Sequence, residues 1–410
     1  MNVYKKTINL LILIFIMLSP LLPSYGKISS DIILYLLVLL QVIGFVIFKK
    51  ERKLVLNNLK IIFKDKIFLS LLVLNTLMYF STIVALDKRS SITHSIRFTL
   101  YLFIFYLISY SLKNMKQLRA VFFTFLTTSI IVSIISLIQV ASIIILGNHV
   151  DMHHRITSTL ENPNNLGAYS ILLIFIFIMI LIKAKNRNIK IIFGISTLLL
   201  LFNIIVSQSR NALLALVAGI LLVFLLYNKR YIIFSVIFPV ILFIIPQTRV
   251  RILDIFDMSQ NSSRLNIWKL TKIMINNDKQ LFGIGYENYG FNYPIYLESN
   301  PSYFVRESLK PLHPHNALLK FQVELGVFGS IAFILFLAIS IFTLYKIMKN
   351  ENDELIKVVL IGGFVGFVAF QSMNILDSYY GTPKVMVTMF ILLAIINGYK
   401  RIRQNKSNIF

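Results

Sequence analysis

The chain has no cysteine among its 410 residues, so it carries no disulfide framework and no thiolate chemistry. It is also short of charge. Asp, Glu, Lys and Arg make up 14% of it, against roughly 25% in an ordinary soluble protein. No glycine-rich phosphate loop of the Walker type occurs. The basic stretches between apolar runs are too small to hold a nucleotide domain, which argues against a transporter driven by its own ATPase. No internal repeat is evident, and that weighs against the common secondary-transporter architectures.

What the chain does have is hydrophobic sequence, 57% of the whole. Apolar runs of about 16 to 28 residues recur, near or above the ~18 that suggest a membrane span. Twelve spans are expected: 8–23, 31–48, 67–86, 97–112, 120–146, 166–182, 189–206, 210–227, 231–246, 318–345, 355–375 and 384–399. The expected fold class is therefore all-α: a polytopic membrane protein of about 12 transmembrane helices, with one long extracytoplasmic loop containing short helices. The organisation reads as N-terminal spans (1–146), a core that includes the loop 247–317 (147–345), and C-terminal spans with a basic tail (346–410).

The formal net charge of +24 suggests nucleic-acid binding only until the charges are placed. With both termini inside, 25 of the 41 Lys and Arg residues fall on inner segments, and 9 of the remaining 16 belong to the segment 247–320. This is the positive-inside bias, which puts both termini in the cytoplasm. The charge is topological, and no nucleic-acid partner is expected. Residues 1–23 could pass for a secretory signal, but the long apolar core and the poor cleavage site favour a retained first span. In this topology all six histidines (His94, His149, His153, His154, His313, His315) lie on outer loops, and the spans hold almost no charge apart from Glu324.

Three places on the outer face hold chemistry. His313-Pro314-His315-Asn316 stands where the long polar segment meets a span, and an imidazole titrates near neutrality. Arg210 follows Ser207-Gln208-Ser209 and opens the span 210–227. Arg264 follows Ser262-Ser263 and opens an expected loop helix over 264–276. Serine is a good N-cap, but a cation at a helix start opposes the helix dipole. An arriving anion would relieve that conflict, since free N–H groups and guanidinium both suit phosphate oxygens. The plain alternatives are an Arg210 that snorkels, an Arg264 that is a solvated charge, and a His315 that caps its helix. A metal at His153-His154 or His313/His315 lacks a third ligand at a recognisable spacing and a companion carboxylate. Trp268 and the apolar positions of 264–276 read as an interfacial face lying on the membrane.

The pattern His-Asn-x-x-Leu-x6-Gly from His315 to Gly326 resembles a motif of the O-antigen ligase and polymerase superfamily. So do Arg155-Ile-Thr-Ser-Thr-Leu-Glu-Asn-Pro-Asn164, Ser207-Gln-Ser-Arg210, and Arg264-Leu-Asn-Ile-Trp268 followed by Leu281-Phe-Gly-Ile-Gly285, in the family's order over roughly 150–345. The resemblance implies a GT-C-like ligase architecture. It also implies transfer of a glycan from an undecaprenyl-diphosphate carrier to a glycan or lipid-glycan acceptor hydroxyl, outside the cytoplasmic membrane of a bacterium. On that basis His315, Arg210 and Arg264 are the candidate catalytic residues, with Asn316, Arg155 and His313 as candidate substrate-binding residues. No cofactor is implied, and the arginines would make a metal dispensable. A transporter or flippase of lipid-linked saccharides is the alternative, with the outer arginines as a docking site. Membrane lipids are partners in either case.

Overall fold

Most of the helices begin where a short polar side chain stands before an apolar run. Asp65, Asn162, Asn186, Ser209, Asn316 and Asp353 each accept a backbone N–H of the helix that follows, satisfying donors that would otherwise be orphaned at a helix start. The resulting computed structural model describes residues 2–26, 28–151, 154–254, 258–277, 280–305 and 311–407, and no strand occurs among them.

In order, the helices are α1 (Asn2–Leu18), α2 (Asp31–Ile47), α3 (Lys49–Ile62), α4 (Lys66–Ser81), α5 (Lys88–Tyr106, continued by a π-turn Leu107–Ser111), α6 (Met115–Ile145), α7 (Pro163–Lys183), α8 (Arg187–Ser207), α9 (Arg210–Tyr227), α10 (Phe234–Ile244), α11 (Pro246–Leu253), α12 (Met258–Asn276), α13 (Tyr289–Glu298), α14 (Ala317–Lys349), α15 (Glu354–Leu376) and α16 (Pro383–Ser407). Among the described residues, eight helices (α5 to α9 and α14 to α16) are long and apolar enough to cross a membrane. The pair α2 and α3, bent by 111°, makes a ninth if it is one broken span. The expected spans 8–23, 31–48, 67–86 and 231–246 fall on the shorter helices α1, α2, α4 and α10. The span expected at 97–112 is longer than its apolar run, because α5 starts at Lys88, capped by Asp87. His94 consequently lies in a helix and not in a loop.

The centre is built on α7, α15 and α16, which are buried over most of their length. Gly362 and Gly366 of α15 face α7 so closely that a Cβ on either would lie about 2.5 Å from α7 backbone atoms. Small residues at this spacing let two helices approach where the solvent is lipid and burial alone gives little drive to associate. α15 also packs against α9, and α14 against α4.

Hydrogen bonds between helix ends define two faces. On one, Arg155 joins the end of α8 to the start of α7, and Asn316 joins the start of α14 to the end of α15. On the other, Asn397 of α16 bonds Asp65 ahead of α4, and Glu351 after α14 takes Tyr399 and Arg403 of α16.

Three expectations need correction. The helix expected over 264–276 begins six residues earlier, at Met258, because neither glycine nor proline interrupts 258–264. Arg264 is thus inside a helix, and Ser262-Ser263 do not cap it. The apolar side of this helix does not lie on the membrane: Ile267, Leu270, Met274 and Ile275 are buried with Tyr289, Tyr293 and Val323 in a small core of their own. The spans also hold more charge than Glu324 alone. Arg97 in the middle of α5, and Lys320 and Lys384 near the starts of α14 and α16, are buried, each beside a carboxylate: Asp31 at 2.9 Å, Glu287 at 2.7 Å and Glu161 at 3.2 Å. Pairing of this kind is what makes a buried cation tolerable.

Candidate functional site

The segment before α14 is held by its own side chains. The Asn316 Oδ1 accepts the Leu319 N–H at 2.9 Å and its Nδ2 donates to the Ile375 carbonyl at 3.0 Å. Asn316 is therefore the cap of α14, and His315 is not. His315 instead has a left-handed backbone, φ 50°, a conformation uncommon outside glycine and one that carries strain. That turn brings its ring beside the end of α15. There His315 Nδ1 lies 3.0 Å from Oδ1 of Asp377, a buried carboxylate that also accepts the Ser378 N–H at 2.9 Å. A carboxylate only accepts, so Nδ1 carries the proton and the Nε2 lone pair is left available.

His313 completes the group. Its Nδ1 accepts the His315 backbone N–H at 3.2 Å, its Nε2 is 3.9 Å from Asp377, and the two imidazoles meet edge to face at 4.5 Å. Withdrawal from water pushes His313 down to about 4, against the opposing pull of Asp377. Burial works against the charge of Asp377, but the His315 hydrogen bond and the neighbouring imidazoles outweigh it and hold the carboxyl well below the usual range. His313, His315 and Asp377 offer three ligand atoms within 4.8 Å of one another, so a companion carboxylate is present after all, brought by the fold from 62 residues away. His154 pairs with Asp151 at 3.2 Å, and His153 lies outside the described residues.

The arginines gather next to this group. Arg210 opens α9 as expected, and its Nη1 donates to the Asp254 carbonyl at 2.6 Å. Arg264 of α12 lies across from it, and the two line one cavity of about 230 Å³ with Asn211, Leu214, Leu265, Trp268 and Leu376. This cavity connects to the histidines in two ways. Leu376 immediately precedes Asp377, and Trp268 Nε1 donates to the Pro314 carbonyl at 2.9 Å, one residue before His315. Arg155 stands behind. Its Nε and Nη2 donate to the Ser207 carbonyl at 2.9 and 2.8 Å, closing the end of α8, and Nη2 also reaches Asn164 Oδ1 at 2.7 Å. Burial pushes Arg155 down to about 10, with Arg251 and Arg210 adding to it, as nearby cations do.

The fold adds groups that spacing could not assign. Arg251 donates through Nε to the Gln208 carbonyl at 2.9 Å and through Nη1 to Asp254 Oδ2 at 2.9 Å, so Asp254 takes both Arg210 and Arg251. Tyr379 is 2% exposed, and its hydroxyl has no hydrogen-bond partner among the described residues. Asn211 stands beside it without completing a bond, and Arg264 and Arg155 are within electrostatic reach. Burial and Asp377 keep this phenol protonated well above its ordinary range. The only signal in the sequence was one short polar segment, Asp377-Ser-Tyr-Tyr-Gly381, between two apolar runs.

The glycines of the matched motifs have a structural role. Gly326 interrupts α14 at φ 71°, ψ −165°, and a Cβ there would lie 2.1 Å from the Leu281 carbonyl oxygen. The segment 280–285 fills the break: Ile284 and Gly285 donate to the Val323 and Glu324 carbonyls, and Gln280 accepts from Val327. The Gly-x-Gly turn and the kinked start of α14 therefore require each other, which explains their appearance together in one pattern.

Residues 195–334 match the O-antigen ligase family. The ligase-family segment runs from within α8 to the middle of α14, about a third of the chain. It contains Arg210, Arg264, His315 and Asn316, while Arg155, Asp377 and Tyr379 lie beyond it. The match supports the resemblance to the O-antigen ligase and polymerase superfamily that the motifs carry. No curated protein matches the chain. The family match and the eight long apolar helices among the described residues together support a multi-pass membrane protein, and the O-antigen ligase family implies ligase or polymerase activity in polysaccharide assembly.

Proposed function

We propose that this protein moves a glycan from an undecaprenyl-diphosphate carrier to an acceptor hydroxyl during assembly of a cell-surface polysaccharide, with the site on the extracytoplasmic face and both termini in the cytoplasm. One observation carries the reading. Arg210 and Arg264 line a single cavity whose wall leads, through Trp268 and Leu376, to an imidazole already oriented by a carboxylate.

In this reading the lipid diphosphate occupies the arginine cavity and the acceptor hydroxyl approaches His315 Nε2. The hydroxyl proton passes to Nε2 as its oxygen attacks the anomeric carbon. The anomeric carbon–oxygen bond to the diphosphate breaks, and its electron pair leaves on the diphosphate oxygen. Arg210 and Arg264 stabilise that developing charge. Tyr379, a protonated and buried donor, adds a hydrogen bond to the same anion. Asp377 stabilises the imidazolium formed on His315 and is a positioning residue, since it does not touch substrate. Arg155 and Arg251 hold the loop backbone beneath the cavity and add positive potential. Asn316 and His313 act by fixing the geometry of His315. The donor is already activated, so no ATP is consumed, and the guanidinium groups take the place of a divalent cation.

The test is to incubate purified protein with lipid-linked oligosaccharide in detergent, in the presence of a chelator, and to assay for released undecaprenyl diphosphate together with a lengthened or transferred glycan. Release without added metal supports the reading. Absence of release with intact donor binding would favour a carrier of lipid-linked saccharides. Release abolished by the chelator and restored by a divalent cation would return His313, His315 and Asp377 to a metal site.

A further inference from the structure

We propose that a cavity at the far end of α14 from His315 binds the phosphate headgroup of an anionic phospholipid. The two places are separated by a helix of 33 residues, roughly 50 Å at 1.5 Å per residue. The inference therefore rests on the membrane reading of the chain and is independent of the transfer chemistry.

The cavity has a volume of about 370 Å³ and lies between the ends of α14 and α16 and the start of α4. Four cations line it: Lys66, Lys346, Lys400 and Arg403. Its one carboxylate, Glu351, is buried and already engaged by Arg403 and by the Tyr399 hydroxyl. Among the described residues no carboxylate lies within ion-pairing distance of the three lysines. Lys346 sits in the last turn of α14, where a cation suits the helix dipole. Lys66 does not fit that explanation. It is the first residue of α4, where the dipole is positive, and the neighbouring Asp65 carboxylate is occupied by the α4 backbone and by Tyr110 and Asn397. The cavity thus has an excess of positive charge that the protein does not neutralise.

The remaining walls indicate what neutralises it. Phe342 of α14, 68% exposed, lines the same cavity as the lysines. A ligand that fills this site has an anionic head and an apolar body beside it. A free phosphate would leave the apolar wall uncovered, whereas a phospholipid sets its headgroup on the cations and its acyl chains against that wall. The positive-inside bias places this end in the cytoplasm, and basic pockets between helices on that side are suited to anionic headgroups.

Native mass spectrometry of the full chain in detergent, titrated with phosphatidylglycerol or phosphatidylcholine, tests the proposal. Phosphatidylglycerol should be retained at least tenfold more tightly. The triple variant Lys66→Gln, Lys346→Gln, Lys400→Gln should lose the preference and weaken phosphatidylglycerol by about a hundredfold, each cation near a headgroup contributing several-fold. Arginine at the same three positions should keep it. If the triple glutamine variant does not insert, Lys66→Gln alone, at an exposed helix start, should still weaken retention several-fold. Equal retention of the two lipids, or an unchanged preference in the glutamine variants, would overturn the proposal. So would displacement of phosphatidylglycerol by inorganic phosphate that binds equally well alone, since the occupant would then be the free anion.

Discussion

His315 Nδ1 and Asp377 Oδ1 lie 3.0 Å apart, although 62 residues and the whole of α14 and α15 separate them in sequence. Replacing Asp377 by Asn removes a pure acceptor and allows the amide to present a donor to Nδ1, which moves the imidazole proton to Nε2. Transfer should fall by roughly 10²- to 10⁴-fold, with donor binding little changed, as measured by turnover beside binding of lipid-linked donor. His315→Ala should abolish transfer. His315→Asn should not restore it, because the cap of α14 is Asn316; an active His315→Asn enzyme would rule out the base. Asn316→Ala should instead cost about 1 kcal/mol of stability, and Asn316→Asp should recover it.

The two cavity arginines should differ from a snorkelling or solvated charge by their effect on the donor. Arg210→Ala and Arg264→Ala are each expected to lower transfer by about 10²- to 10³-fold while the protein still folds and inserts. Lysine at either position should recover only part, since it keeps the charge and loses the planar fork. Arg251→Ala should weaken donor binding less, because Arg251 acts on Asp254 and the loop. Full activity in both cavity variants would return them to the plain readings.

Tyr379→Phe separates a ligand contact from a structural one. The hydroxyl has no hydrogen-bond partner among the described residues, so removing it should leave thermal stability unchanged or raised. Transfer should nevertheless drop about tenfold or more, the scale of one hydrogen bond to a charged oxygen. Loss of stability with unchanged kcat/KM would show that the hydroxyl serves the fold.

His313 makes stability depend on pH. Its imidazole is held down to about 4 in the folded chain against an ordinary 6.5. Between these values the unfolded chain binds the extra proton, so stability falls as pH drops from about 6.5 toward about 4 and is unaffected by this group above that window. The carboxyl of Asp377 titrates below this range. Thermal unfolding across pH 4 to 7 should show the slope, and His313→Gln should flatten it. An equal slope in the variant would exclude His313 as its source.

Orientation can be read with single cysteines, since the chain has none of its own. Ser299 at the end of α13 and Asn57 on α3 are both exposed. In intact cells an impermeant thiol reagent should label a cysteine at Ser299 and not one at Asn57. The reverse pattern would invert the topology.

Much of this protein could be read from local sequence because the membrane makes local sequence decisive. A lipid solvent satisfies no backbone polar group, so long apolar runs become helices, and polar caps such as Asn162, Ser209 and Asn316 mark where they start. The order of Arg210, Arg264 and His315 was legible for the same reason, each lying near a helix end or in the long polar loop. The start of α12 was misread because Ser262-Ser263 look like a cap but continue a helix when nothing breaks it, and only packing against Tyr289 and Val323 shows which face is buried. The partners of the candidate residues depend on which helix ends share a face. Asp377 bonds His315, Arg251 and Arg210 share Asp254, and Tyr379 comes within electrostatic reach of Arg264 and Arg155, all between distant segments that no local periodicity relates. Likewise the burial of Lys320 between Glu287 and Glu324 follows from the break at Gly326, where the 280–285 turn inserts. Helices and their ends were set by solvent and chain chemistry at each position, whereas the site required the relative placement of those ends, which only the packed bundle decides.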